Sequence, residues 1–169
     1  MYVFDATPLI YLAKVDRLGL VEKLDHECCL PRQVYREVVP TGIEEGYADA
    51  RRIEQAIESG FLSVIVVEET KFFEKLRRYE GLSAADVSVL ALTDARNGTA
   101  IMDEASGRTV ADAEGILTRG TAFLILQLQR EGILDAEEVH STIDAMLDAG
   151  WYCAPDVYAR IVRKIEELG

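Results

Sequence analysis

The sequence predicts an α/β protein built on a parallel sheet covered by helices on both faces. Short apolar runs such as "YVF", "CCL", "FLSVIVV" and "TAIMD" alternate with longer stretches whose apolar residues recur at helical spacing. Strands joined through helices run parallel, and both faces of such a sheet are buried. The 169 residues, 49% hydrophobic and 28% charged, suffice for one soluble domain with a sizeable core. No linker rich in Pro, Gly or Ser divides them. A single domain over 1–169 is therefore expected, with an α/β core to about residue 134 and a helical extension over about 135–169.

Tyr2 to Phe4 form the first strand, and Thr7-Pro8 starts a helix, with Thr7 as cap and Pro8 in the first helical position, where its missing N–H costs nothing. "LGLVEKL" continues as helix, "CCL" is a short strand, and "PRQVYREVV" is a helix with Pro31 at its start. "PTGIEEG" predicts a loop. "YADARRIEQAIES" is an amphipathic helix ended by Gly60, "FLSVIVV" a buried strand, and "TKFFEKLRRY" a helix. "LSAADVSVLALTDARNG" is strongly periodic with a glycine stop, and "TAIMD" is the next strand. After it come a helix at "GRTVADAEG", a short strand at "ILT", and helices at "TAFLILQLQREG", "DAEEVHSTIDAMLDAG" and "PDVYARIVRKIEEL".

The start has no basic region before its first apolar stretch, Asp5 interrupts that stretch, and no later run is long enough to span a bilayer. A cytoplasmic protein with no membrane partner is expected. The three cysteines, two of them adjacent at Cys28 and Cys29, are no disulfide framework, and "HECC" lacks further zinc ligands at recognisable spacing, so buried thiols are expected. The net charge of −12 excludes a broad electrostatic footprint on nucleic acid but not a small one.

Four carboxylates stand where apolar residues belong. Asp5 and Asp103 each close an apolar strand before a turn, at the sheet edge where open α/β folds bind ligands. Glu37 follows Val34 by three residues on one helix face. Asp86 shares the inward stripe of Val89, Leu90 and Thr93 at a helix start. Each has a structural explanation: turn formers for the two strand ends, a partly exposed helix residue for Glu37, and a capping box with Ser83 for Asp86. Burying all four costs several kcal/mol apiece without a compensating positive group, and no lysine or arginine occupies a matching position. A divalent cation compensates. Oxygen-only ligands select magnesium or manganese, and one such ion, or a pair roughly 4 Å apart, activates water and stabilises the leaving oxygen of a phosphodiester.

The ordered set of Asp5 with Thr7, Glu37, Asp86 in "LSAADVSVLALT" and Asp103 closing "AIMD" resembles the PIN-domain ribonucleases, whose best-known members are VapBC-type toxins. The later Asp103-Glu104, Gly107-Arg108 and Gly120-Thr121 are similar to one branch of that superfamily, and the chain continues past the point where toxin members usually end. The resemblance implies a three-layer PIN-like fold, a parallel five-stranded sheet between helices, here with a C-terminal helical extension. It implies that the four acids are catalytic and hold Mg²⁺ or Mn²⁺, that Thr7 supports Asp5 and that Glu104 shares the role of Asp103. Arg108 or Thr7 places a single-stranded RNA substrate. It further implies a homodimer, to which the surplus apolar surface of "TAFLILQLQ" adds, and a toxin role opposite an antitoxin protein. The rival within the same fold is a non-catalytic PIN-like binding or regulatory module. Two other rivals fail on residues: an aspartyl-nucleophile phosphotransferase needs an acid where Thr7 stands, and a phosphorylated receiver domain needs a late lysine, whereas none lies between Lys75 and Lys164.

Overall fold

A computed structural model describes residues 1–169. Five parallel strands, β1 (Tyr2–Phe4), β2 (Cys28–Pro31), β3 (Leu62–Ile65), β4 (Thr99–Ile101) and β5 (Thr118–Arg119), lie in the order β3-β2-β1-β4-β5. The chain winds outward from β1 to β3, then returns to the other side of β1 for β4 and β5. Because parallel crossovers are right-handed, this reversal sends the two sets of connecting helices to opposite faces. α1 (Ala6–Lys14), α2 (Leu18–Val21), α3 (Arg32–Val38), α4 (Pro40–Glu44) and α5 (Ala48–Glu58) belong to the first set. α6 (Lys71–Leu76), α7 (Ala84–Arg96) and α8 (Ala105–Glu114) belong to the second, with α7 packed across β1, β2 and β4. The fold is the expected α/β one: a five-stranded parallel sheet flanked by helices, with a helical C-terminal part.

Local chemistry moves several boundaries. Asp5, not Thr7, caps α1, and its carboxylate accepts from Ala6 N–H, so Pro8 falls in the third helical position, where no intrahelical N–H bond is due. Pro31 closes β2 and sits at the cap of α3. Asp16, with φ 55°, breaks the helix before "LGLVEKL", which forms α2 and a 3₁₀ turn over Glu22–Leu24. The stretch expected as a loop at "PTGIEEG" contains α4, which starts at Pro40. Its Gly42 lies so close to α5 that a Cβ there would stand 2.6 Å from Ala50 Cβ; this glycine serves contact rather than a turn. β3 stops at Ile65, its last paired residue, leaving Val66 exposed. α7 ends on Asn97 in the left-handed conformation, one residue before the glycine expected to stop it.

α9 (Thr121–Arg130), α10 (Ala136–Asp148) and α11 (Pro155–Leu168) pack on one another. Leu124, Ile125 and Leu128 are fully buried, and buried Gln129 donates from Nε2 to Ile165 O at 2.9 Å. This face of α9 is thus covered within the chain, while Phe123 and Leu126 stay half-buried. Val139, Ile143, Met146, Trp151, Ile161 and Ile165 join the same hydrophobic cluster as the sheet. No helix is long and apolar enough to cross a membrane. The three cysteines are free; Cys28 and Cys29 are buried as expected, whereas Cys153 is only half-buried.

Candidate active site

The reversal of winding places a crevice at the carboxyl ends of β1 and β4, where open α/β sheets bind ligands. β1 and β4 pair from Tyr2↔Thr99 to Phe4↔Ile101, and Asp5 N–H extends the ladder to Ile101 O at 3.0 Å. The register therefore delivers Asp5 and Asp103 to the same edge. α7 precedes β4 and packs on it, and its N-terminal turn carries Asp86. Glu37 arrives on α3, directly after β2.

Asp5 is 6% exposed and Asp86 3%, whereas Glu37 and Glu104 reach solvent. Burial raises the Asp5 carboxyl to about 7; the Ala6 N–H bond opposes the rise, and the charges of Asp86, Glu104 and Glu37 add to it. Glu37 is raised in turn, by the partial burial of its carboxyl and by Asp86. These groups accordingly lie within one another's field. None of them, nor Asp103, has a lysine, arginine or histidine within ion-pair distance. The cluster thus has no ion-paired positive charge, and its all-oxygen donors suit a hard divalent ion. As the side chains stand, no three acid, histidine or cysteine groups converge into a finished cage. A magnesium-type ion that keeps several waters and takes few carboxylates still fits this donor set.

Asp86 combines both explanations offered for it. Ser83 N–H donates to its Oδ2 at 2.8 Å and Asp86 N–H donates to Ser83 Oγ at 3.1 Å, a complete capping box. Its charge nonetheless acts on Asp5 and Glu37.

Asp103 is held from three sides. Its Oδ1 accepts from Thr121 N–H at 2.7 Å, and its Oδ2 accepts from Thr121 Oγ1 at 2.7 Å and from Trp151 Nε1 at 3.0 Å. Gly120 permits this: a Cβ there would stand 3.0 Å from Asp103 Oδ1 and 3.3 Å from Arg108 Nη1. Gly107 lets α8 close on Met102, and a Cβ there would lie 3.9 Å from Asp86 Oδ1. The Asp-Glu, Gly-Arg and Gly-Thr pairs of the sequence thus meet at one place. A model of the PIN domain matches residues 1–167. The chain belongs to the PIN-domain family.

PIN domains are nucleases in general, act on nucleic acid and typically use divalent metals. No curated protein and no solved structure matches the chain. Within this PIN domain Thr7 lies half-buried in the second helical position of α1, and the hydrogen bond to Asp5 Oδ1 comes from Ala6 N–H rather than from the Thr7 hydroxyl. Arg108 is exposed on α8. Glu104, which acts on Asp5, caps α8 by its backbone and leaves its side chain to solvent. Trp151 was not legible as a site residue. The one available signal was a lone tryptophan in the irregular segment "AGWYCAP" between two helices.

Proposed function

We propose that this PIN domain is a metal-dependent endoribonuclease that hydrolyses phosphodiester bonds of single-stranded RNA. The observation that supports it most is Asp5: a buried carboxylate pushed up to about 7 among other carboxylates, without a cation to balance it. Asp5, Glu37, Asp86 and Asp103 are proposed to hold Mg²⁺ or Mn²⁺, with Glu104 sharing the role of Asp103. The bound ion supplies water activation and stabilisation of the leaving oxygen. An ion held there would favour the ionised form of Asp5. Thr121 and Trp151 fix the orientation of Asp103, as outer partners do for ligating carboxylates. Arg108, exposed beside Gly120, orients the phosphate that enters.

The experiment is cleavage of single-stranded RNA with and without manganese, with Asp5→Asn as control. Metal-dependent cleavage lost in Asp5→Asn is expected; an RNA left intact by wild type overturns the reading. Manganese is also expected to raise the melting temperature, since an ion bound only by the folded state at a hundredfold over Kd adds roughly 2.7 kcal/mol. The second reading, a non-catalytic PIN-like module, draws on the absence of a finished cage. It predicts no cleavage together with an unchanged melting temperature. A homodimer and a toxin role against an antitoxin protein rest on the family resemblance, and light scattering tests the dimer directly; a cytoplasmic setting is proposed from the sequence alone.

A further inference from the structure

Beside the acid cluster lies a cavity of about 590 Å³, within the roughly 300–1,000 Å³ typical of small-ligand sites. One wall belongs to the candidate active site: Thr7, Asp103 and Glu104. The rest of the lining is largely aromatic: Tyr11 on α1, and Trp151 and Tyr152 from the segment that joins α10 to α11. We propose that this cavity binds an unpaired nucleobase of the RNA, stacked on Tyr152, next to the phosphate held at the acid cluster. The proposal rests on the nuclease reading above and adds how that substrate is gripped.

Tyr152 is 83% exposed, the most exposed of the large apolar side chains. Its backbone is nevertheless fixed on its N-terminal side. Gly150 turns with φ 101°, Trp151 N–H donates to Met146 O at 2.9 Å, and Trp151 Nε1 ties the segment to Asp103. A ring left bare on a rigid support is a poor arrangement for stability and a good one for stacking, because little further ordering is needed on binding. Tyr11 carries the Lys14 ammonium 5.3 Å from its ring centre, which places one cation close to this wall. Asp103 and Glu104 are the only charged groups in the lining, so beyond the ion that would hold the phosphate the cavity favours the uncharged part of a nucleotide. Bases in a duplex present no free face; an unpaired base presents two. Stacking of this kind is tolerant of sequence.

Trp151 is the sole tryptophan of the chain and lines the cavity, so its fluorescence reports occupancy without cleavage. A short single-stranded RNA is titrated with calcium in place of manganese, and cleavage is measured separately with manganese. Wild type and Tyr152→Phe are expected to show a changed emission at the same RNA concentration. Tyr152→Ala should require about fivefold or more RNA, the loss of one stacked base. Its manganese-induced rise in melting temperature should stay as in wild type. Replacing one nucleotide by an abasic one should weaken binding to wild type and leave Tyr152→Ala unaffected. If wild type cleaves RNA and Tyr152→Ala binds and cleaves it equally, the subsite is overturned and the nuclease reading stands. If wild type binds RNA through Tyr152 but never cleaves it, the nuclease reading falls and the subsite stands. Wild type that binds no RNA overturns the subsite as well.

Discussion

At the scale of single residues, Asp5 sets how the metal-free protein responds to pH. Its carboxyl titrates at about 7 in the folded chain against 3.8 in the unfolded one, so between these values the folded state keeps a proton that the unfolded state has released. The stability contributed by this group is complete below the unfolded value and lost as pH rises through about 7. In chelator, denaturation at rising pH is therefore expected to show a declining contribution that Asp5→Asn abolishes. The variant should gain on the order of 1–4 kcal/mol over wild type near pH 8. An identical pH slope in both proteins would place the titrating group elsewhere. Asp103 and Glu104 divide differently. Asp103→Ala strips Thr121 and Trp151 of their acceptor and should cost about 2–4 kcal/mol, read by denaturant titration. Exposed Glu104→Gln should stay within about 0.5 kcal/mol while weakening manganese binding. Gly120→Ala removes no acid yet crowds Asp103 Oδ1, so it should lower RNA cleavage with the other acids intact.

At the scale of elements, α7 shows one residue serving two ends. Ser83→Ala deletes only the cap and should cost about 1 kcal/mol by thermal melting, with or without manganese. Asp86→Asn keeps an amide oxygen that can accept from Ser83 N–H while removing a charge that raises both Asp5 and Glu37. It is expected to be at least as stable as wild type in chelator and to lose most of the stabilisation by manganese; a variant that is less stable and still responds to the ion would make Asp86 a cap alone. The box between Ser83 and Asp86 was legible because both partners lie within one turn. So were α10 and α11, whose starts, the capping box at Asp135 and Pro155 in the first helical position, are equally local. α4 was not, since Gly42 reads as a breaker until Ala50, on another helix, supplies the contact that requires it. The start of α1 was misplaced for a similar reason: Thr7 and Asp5 are both good caps, and the pairing of Asp5 N–H with Ile101 O favours Asp5.

At the scale of the whole molecule, the C-terminal helices are proposed to be integral rather than appended. They contribute buried residues to the cluster that contains the sheet, and Arg17 Nε reaches Thr142 Oγ1 at 3.1 Å. Full-length protein is expected to unfold in a single transition by calorimetry, and a chain ending at Leu134 should lose that cooperativity, because Leu124 and Leu128 are left bare. A truncated chain that melts sharply at the wild-type temperature would make the extension an accessory. The order of the acids along the sequence pointed to the fold and to the candidate site, since each position follows from a strand end or a helix face. The bond from Trp151 to Asp103 joins residues 48 apart, and no periodicity or local cap announces a pairing across that distance.

That bond also imposes an order in time. A ribosome releases Asp5, Glu37, Asp86 and Asp103 one after another, and Asp103 gains its last restraint only when Trp151 has emerged and the segment after α10 has folded back. On the proposed nuclease reading, a nascent chain surrounded by messenger and ribosomal RNA keeps its site incomplete until the segment after α10 is made, and synthesis itself acts as the safety catch.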